Sequence, residues 1–186
     1  MNKKSIALKR GFTLVELLIV IAILGALAAV VLVALNPVEQ LARTRDSGRL
    51  NSVTSLGRSL EAYATSHAGS YVSYGAVAPL TYTWITTLVN AGEISTIPTN
   101  TSFASQTACT ATIGSENFFC YLATTAGTGV GPVMVFTKAE SKSVTSKCST
   151  ATPAAWLAYK SDVGRAGTVC TAAVGTVPTL ASAFVD

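Results

Sequence analysis

From Leu17 to Leu35 the chain runs for 19 residues without a charge, almost all of them Leu, Ile, Val or Ala. Built as a helix at about 1.5 Å per residue, the run reaches roughly 28 Å, close to the hydrocarbon thickness of a bilayer. A segment apolar on every side is not the outer helix of a water-soluble domain. The chain has 186 residues, so the remainder is room for one ordinary domain. With one such run a multi-span transporter is excluded. With only 12% charged and 49% hydrophobic residues, so are a coiled-coil rod and a disordered chain.

The formal charge of +4 is also local. Lys3, Lys4, Lys9 and Arg10 precede the apolar run with no acid among them, and beyond residue 10 nine Lys and Arg face nine Asp and Glu. The body is therefore neutral, and the basic balance is no evidence for nucleic-acid binding, which needs a basic patch on a folded face. A short basic segment before an apolar stretch holds the N-terminus in the cytoplasm and sends the remainder outward.

The cysteines agree with export. Cys109, Cys120, Cys148 and Cys170 show no C-x-x-C spacing, which argues against zinc and thioredoxin-like chemistry. An even number in an exported Ser- and Thr-rich body favours two disulfides. Three connectivities are open, and the readiness of short loops to close selects Cys109–Cys120 and Cys148–Cys170.

Two export readings compete at the N-terminus. Ala26-Leu27-Ala28 has the small-x-small form of a signal-peptidase site, which would release an exported binding or enzymatic domain. Against it stands Glu16 inside the hydrophobic segment. A carboxylate at the centre of a membrane helix costs about 2.5–3.5 kcal/mol on insertion scales, less near the interface, so such a residue calls for a function and a partner.

Lys9-Arg10-Gly11-Phe12-Thr13-Leu14-Val15-Glu16, followed by the unbroken apolar helix, resembles the class III signal of type IV pilins and of the related type II secretion pseudopilins. The resemblance implies that a prepilin peptidase cuts between Gly11 and Phe12 on the cytoplasmic side. Phe12 then becomes an N-methylated N-terminus. Cutting after residue 11 removes all four leader charges and leaves 175 residues. The new cationic amine lies four positions from Glu16. The resemblance implies that Glu16 of an incoming subunit meets the Phe12 amine of its neighbour, a pair that sets register in an apolar core. It further implies an inner-membrane single-pass precursor, then a subunit of an extracellular pilus, with itself, other pilins and the assembly machinery as partners. A type II secretion or competence pseudopilin in a periplasmic pseudopilus is the alternative.

Two residues are expected to loosen the long helix. Gly25 costs about 1 kcal/mol relative to Ala, and the resemblance implies that it is the better candidate for local melting when subunits pack in a fibre. Pro37 cannot donate to the carbonyl of Val33, which predicts a kink at Asn36-Pro37. Beyond it Leu41, Leu50, Val53, Leu56, Leu60 and Tyr63 mark an apolar face, with Arg43, Arg45, Asp46, Arg49, Arg58 and Glu61 as the polar residues. The spacing predicts one helix from about Phe12 to His67, ended by Ala68-Gly69. The expected organisation is a leader over 1–11, a membrane or filament-core helix over 12–36, an amphipathic helix over 37–68 and a β-rich head over 69–186.

In the head, Trp84 and Leu88 fall on a short helix stopped at Asn90-Ala91-Gly92. Asn117–Thr124 and Pro132–Thr137, around the glycine-rich 127–131, read as a hairpin. Ala155–Lys160 and Thr168–Cys170, around Asp162–Gly167, read as a second. Phe119, Tyr121, Val133, Val135 and Trp156 are expected to pack on the long helix, giving an α+β fold with a helix laid on an antiparallel sheet.

Enzyme signatures are absent. His67 is the only histidine and stands at a helix end, where capping or solvation is its expected role. The 127–131 glycines lack the helix and Lys of a phosphate loop, and there is no G-x-S-x-G or H-E-x-x-H. Ser141-Lys142, read as strand neighbours, point apart and form no dyad. Asp162 is a single acid, too little for a calcium site. No cofactor and no metal are expected.

Overall fold

The computed structural model describes residues 11–73, 83–99, 114–124, 129–172 and 176–185. The fold is α+β. Helix α1 spans Leu14–Leu35, α2 Pro37–Ser66, α3 Trp84–Asn90 and α4 Lys142–Thr145. Strands β1 Gly114–Glu116, β2 Phe119–Ala123, β3 Val133–Lys138, β4 Ala154–Lys160, β5 Arg165–Thr171 and β6 Phe184–Val185 form one antiparallel sheet in sequence order. The chain divides into two compact units at Gln40/Leu41.

The expected single helix is two. Asn36 takes a left-handed conformation, φ 40° and ψ 71°, and closes α1. Pro37 then opens α2, where its missing N–H costs nothing and its fixed φ suits a first turn. The Asn36 carbonyl accepts from Glu39 and Gln40 N–H, so one residue terminates one helix and starts the next. α2 ends as a Schellman turn. Ala68 has φ 53°, and Gly69 N–H reaches back to the Ala64 carbonyl at 2.8 Å.

Alternation along the strands builds two cores. On one face Phe119, Tyr121, Val133, Val135 and Tyr159 pack against Val53, Leu56 and Leu60 of α2 and Trp84, Ile85 and Leu88 of α3. Cys120, Met134, Phe136, Trp156 and Val169 form the other face, covered by Val177, Leu180 and Phe184. Trp156 therefore lies opposite the helix, not on it. Its position is one residue out of step with Tyr159, and side chains alternate along a strand. It meets Phe136 edge-on, and its indole N–H donates to Thr171 Oγ1 at 3.0 Å.

Other expectations need correcting. Asn117 does not begin a strand. It and Phe118 have φ of 51° and 64° and make the two-residue turn between β1 and β2, as a type I′ hairpin requires. The second hairpin turn is tighter than 162–167, because Arg165, Ala166 and Gly167 pair with Lys160, Tyr159 and Ala158. Ser141 and Lys142 are not on a strand: Ser141 is the N-cap of α4. Leu41 is exposed, whereas Asp46 and Arg49, placed with the polar residues, are buried. The glycine-rich loop expected over 127–131 lies in part outside the described residues.

Candidate assembly site

The N-terminal unit exposes what a soluble fold would hide. Phe12 is 92% exposed, and no residue of the candidate membrane span Leu14–Val33 is buried. The helix is long and apolar enough to cross a membrane. Gly25 sits within it without interrupting it, and no side chain lies within 4 Å of where its Cβ would be.

Gly11 and Phe12 precede the helix, exposed and outside any regular element. Thr13 is the N-cap and forms a reciprocal capping box with Glu16. Glu16 N–H donates to Thr13 Oγ1 at 3.2 Å. The Thr13 N–H and hydroxyl both donate to Glu16 Oε2, at 2.8 and 2.9 Å. The Phe12 nitrogen is a peptide amide here, and the Glu16 carboxylate serves the first turn of the helix. The reading from sequence missed Thr13, although T-x-x-E before an apolar run is a helix-start signature.

In the second unit the sequence also left a buried charge network unnoticed. Asp46 accepts backbone N–H bonds from Glu140 at 3.0 Å and Ser141 at 2.8 Å, and a bond from Arg49 Nη1 at 2.8 Å. Arg49 also reaches Glu140 Oε2 at 3.1 Å. Arg45 closes the group with two bonds to the same carboxylate, one from Nε at 2.9 Å and one from Nη2. The Arg45 bonds hold the Glu140 carboxyl below its ordinary value; burial opposes this, and Arg49 adds to the lowering. Asp46 thereby fastens the start of α4 to α2.

Cys148, just beyond α4, is bonded to Cys170 of β5, with Cα atoms 5.6 Å apart. The other expected pair cannot be placed in the same way, because Cys109 lies outside the described residues. His67 is exposed, stacks on Tyr63 with centroids 3.7 Å apart, and its Nδ1 lies 2.9 Å from the Tyr63 carbonyl at the α2 C-terminus. Asp162 pairs with Lys160 at 3.4 Å. Among the described residues no three His, Cys, Asp or Glu are grouped as metal ligands.

No curated protein and no solved structure matches the chain. Residues 6–32 match the family model of the prokaryotic N-terminal methylation motif. That match spans the basic leader, Gly11-Phe12, the Thr13–Glu16 box and most of α1, and so the chain carries a type IV pilin-like class III signal.

Proposed function

We propose that this protein is a structural subunit of a type IV pilus-like filament. The observation that carries this is an α1 that is apolar but for Glu16, exposed from Leu14 to Val33, and part of the class III signal. Such a surface needs an apolar partner outside its own chain. Lipid supplies it before assembly, and the same helix of other copies supplies it afterwards. A prepilin peptidase removes residues 1–11 on the cytoplasmic side, and Phe12 is N-methylated. The mature subunit waits in the inner membrane with its disulfide-braced head outside, then joins the fibre. There the new Phe12 amine becomes available to Glu16, which exchanges its Thr13 partners for it. The chain's role in this reading is mechanical, with no reaction at a site of its own.

The test is mass spectrometry of the mature N-terminus after expression with a prepilin peptidase, together with isolation of sheared surface filaments. The expected result is a chain beginning at N-methyl-Phe12 in both the membrane and the filaments. A terminus near Ala29 would instead establish a secreted domain released by signal peptidase. Retention in a periplasmic fibre, with no surface filaments, would establish a pseudopilin.

A further inference from the structure

The fold sorts the charges of a neutral chain toward one end of the head. Asp46 accepts from the Glu140 and Ser141 N–H groups, so the start of α2 lies against the segment from Lys138 to Cys148. Residues 37–50 and 138–148 together carry six Lys and Arg against three Asp and Glu. Elsewhere from residue 51 onward the balance is three against five. Of the three carboxylates at the basic end, Asp46 and Glu140 are committed to the network with Arg45 and Arg49. Glu39 is the third, in the first turn of α2. Arg43, Lys142 and Lys147 stand exposed beside the network. Arg43 and Lys147, from different elements, border one cavity of about 250 Å³.

The remaining cations do not extend this end. Lys160 and Arg165 are cross-strand partners at the far end of β4 from Trp156, which pairs with Lys138. Asp162 lies 3.4 Å from Lys160, and Arg58 shares a groove with Glu93. The basic end is also the part of the head tied closest along the chain to the apolar helix. Arg43, Arg45 and Arg49 follow Val33, the last residue of the candidate span, by 10, 12 and 16 positions. From Pro37 to Arg43 is about 9 Å of helix. Lys and Arg this close behind a span favour the cytoplasmic side, so here they work against the orientation set by the leader. A negative surface on the exported side would offset that cost. Anionic phospholipid headgroups are such a surface, and their pull on Lys and Arg decays over a Debye length, about 8 Å at physiological salt.

We propose that, in the membrane-held subunit, the basic end of the head rests on anionic phospholipid headgroups through Arg43, Lys142 and Lys147. The contact orients the head beside its own anchor before the fibre takes it up. It is electrostatic and reversible, so entry into the fibre has only these charges to release. The inference rests on the membrane-held stage of the proposed function and is tested separately from filament formation.

The experiment places the full-length chain in lipid nanodiscs of phosphatidylcholine alone, or with about one-third phosphatidylglycerol. Water-soluble reagents directed at amines and guanidines then label the chain, and mass spectrometry reads the rate at each residue. Arg43, Lys142 and Lys147 are the reporters, and the exposed Arg58 and Arg165 are the references. In the anionic discs the reporters should slow by about fivefold or more while the references hold, and about 1 M salt should erase the difference. Arg43→Glu should remove most of the protection at Lys142 and Lys147, with an intact Cys148–Cys170 bond showing that the head is folded. Equal rates in both lipids, equal slowing at the references, or slowing that survives the salt would overturn the contact. Slowing caused by added duplex DNA in neutral discs, and not by anionic lipid, would overturn it too and assign the basic end to nucleic acid. A chain that stays out of neutral discs altogether would overturn the membrane-held stage itself, and the contact with it.

Discussion

The ring of Tyr159 occupies the space where a side chain on Gly57 would begin. A Cβ on that glycine would lie 2.1 Å from Tyr159 Cδ1 and 2.3 Å from Cγ. The close approach brings α2 onto β4 and lets the Tyr159 hydroxyl donate to Glu61 at 2.7 Å, one turn further along the helix. Burial first, and then this bond, pushes the Tyr159 hydroxyl up to about 12. Gly57→Ala should therefore destabilise the head even though Ala favours helix. Overpacking of this kind costs about 1–3 kcal/mol against a propensity gain of about 1. Chemical denaturation of the full chain in detergent, followed by Trp fluorescence, checks it. Unchanged stability would mean that α2 and β4 can separate without loss.

The same pair shows what the sequence made legible. Gly57 reads as a weak point in a helix, and only the facing ring shows why it is there. The elements themselves follow from local signals: α1 from its unbroken apolar run, most of α2 from apolar spacing, and α3 from its Gly92 stop. Asp46, Arg49 and Trp156 were misplaced for another reason. Periodicity says which residues share a face, but not whether a second layer covers that face. Asp46 and Arg49 are buried because Glu140, 94 residues away from Asp46, folds over them. Trp156 is buried on the far face because Val177, Leu180 and Phe184 return across it. The class III signal was legible because its residues, Lys9 to Leu24, are contiguous in sequence.

Asp46→Ala should lower the stability of the head by about 3–5 kcal/mol. The substitution leaves the buried Arg49 short of a counter-charge and removes the acceptor of two backbone N–H groups. Denaturation midpoints of wild type and variant decide this. A loss below about 1 kcal/mol would show that Glu140 alone balances Arg49.

Acid should loosen the same network. The folded-state pKa of Glu140 is depressed, so its contribution is present above the unfolded value of about 4.3 and is lost as pH falls through the folded value. Unfolding midpoints should therefore decline below about pH 4.5. Glu140→Gln should flatten part of that decline. An identical acid limb in the variant would assign the effect to other carboxyls.

Ala68→Gly should stabilise the head by about 1 kcal/mol. Ala68 holds φ 53° at the end of α2, a conformation that costs a Cβ-bearing residue and not glycine. Thermal unfolding checks it, and a lowered midpoint would mean that flexibility gained in the unfolded chain outweighs the relief of strain.

Glu16→Ala should leave leader cleavage intact and abolish filaments, whereas Thr13→Ala should retain them. Both variants break the capping box, a loss of about 1 kcal/mol in helix start. Only the first removes the carboxylate proposed to meet the Phe12 amine. Fractionation into membrane-held mature protein and sheared filaments separates the two. Equal filament loss in both would reduce Glu16 to a helix cap.

The cover over the second sheet face has a consequence for biogenesis. Val177, Leu180 and Phe184 are made after every strand they shield. In the proposed export of the head, the sheet emerges with Met134, Phe136 and Trp156 uncovered, while the face toward α2 can already close. The half-made head is sticky on one side only until the 177–184 segment follows and seals it. A translocation pause between residues 172 and 184 would expose that side for as long as the pause lasts, making this the point at which an export chaperone has most to shield.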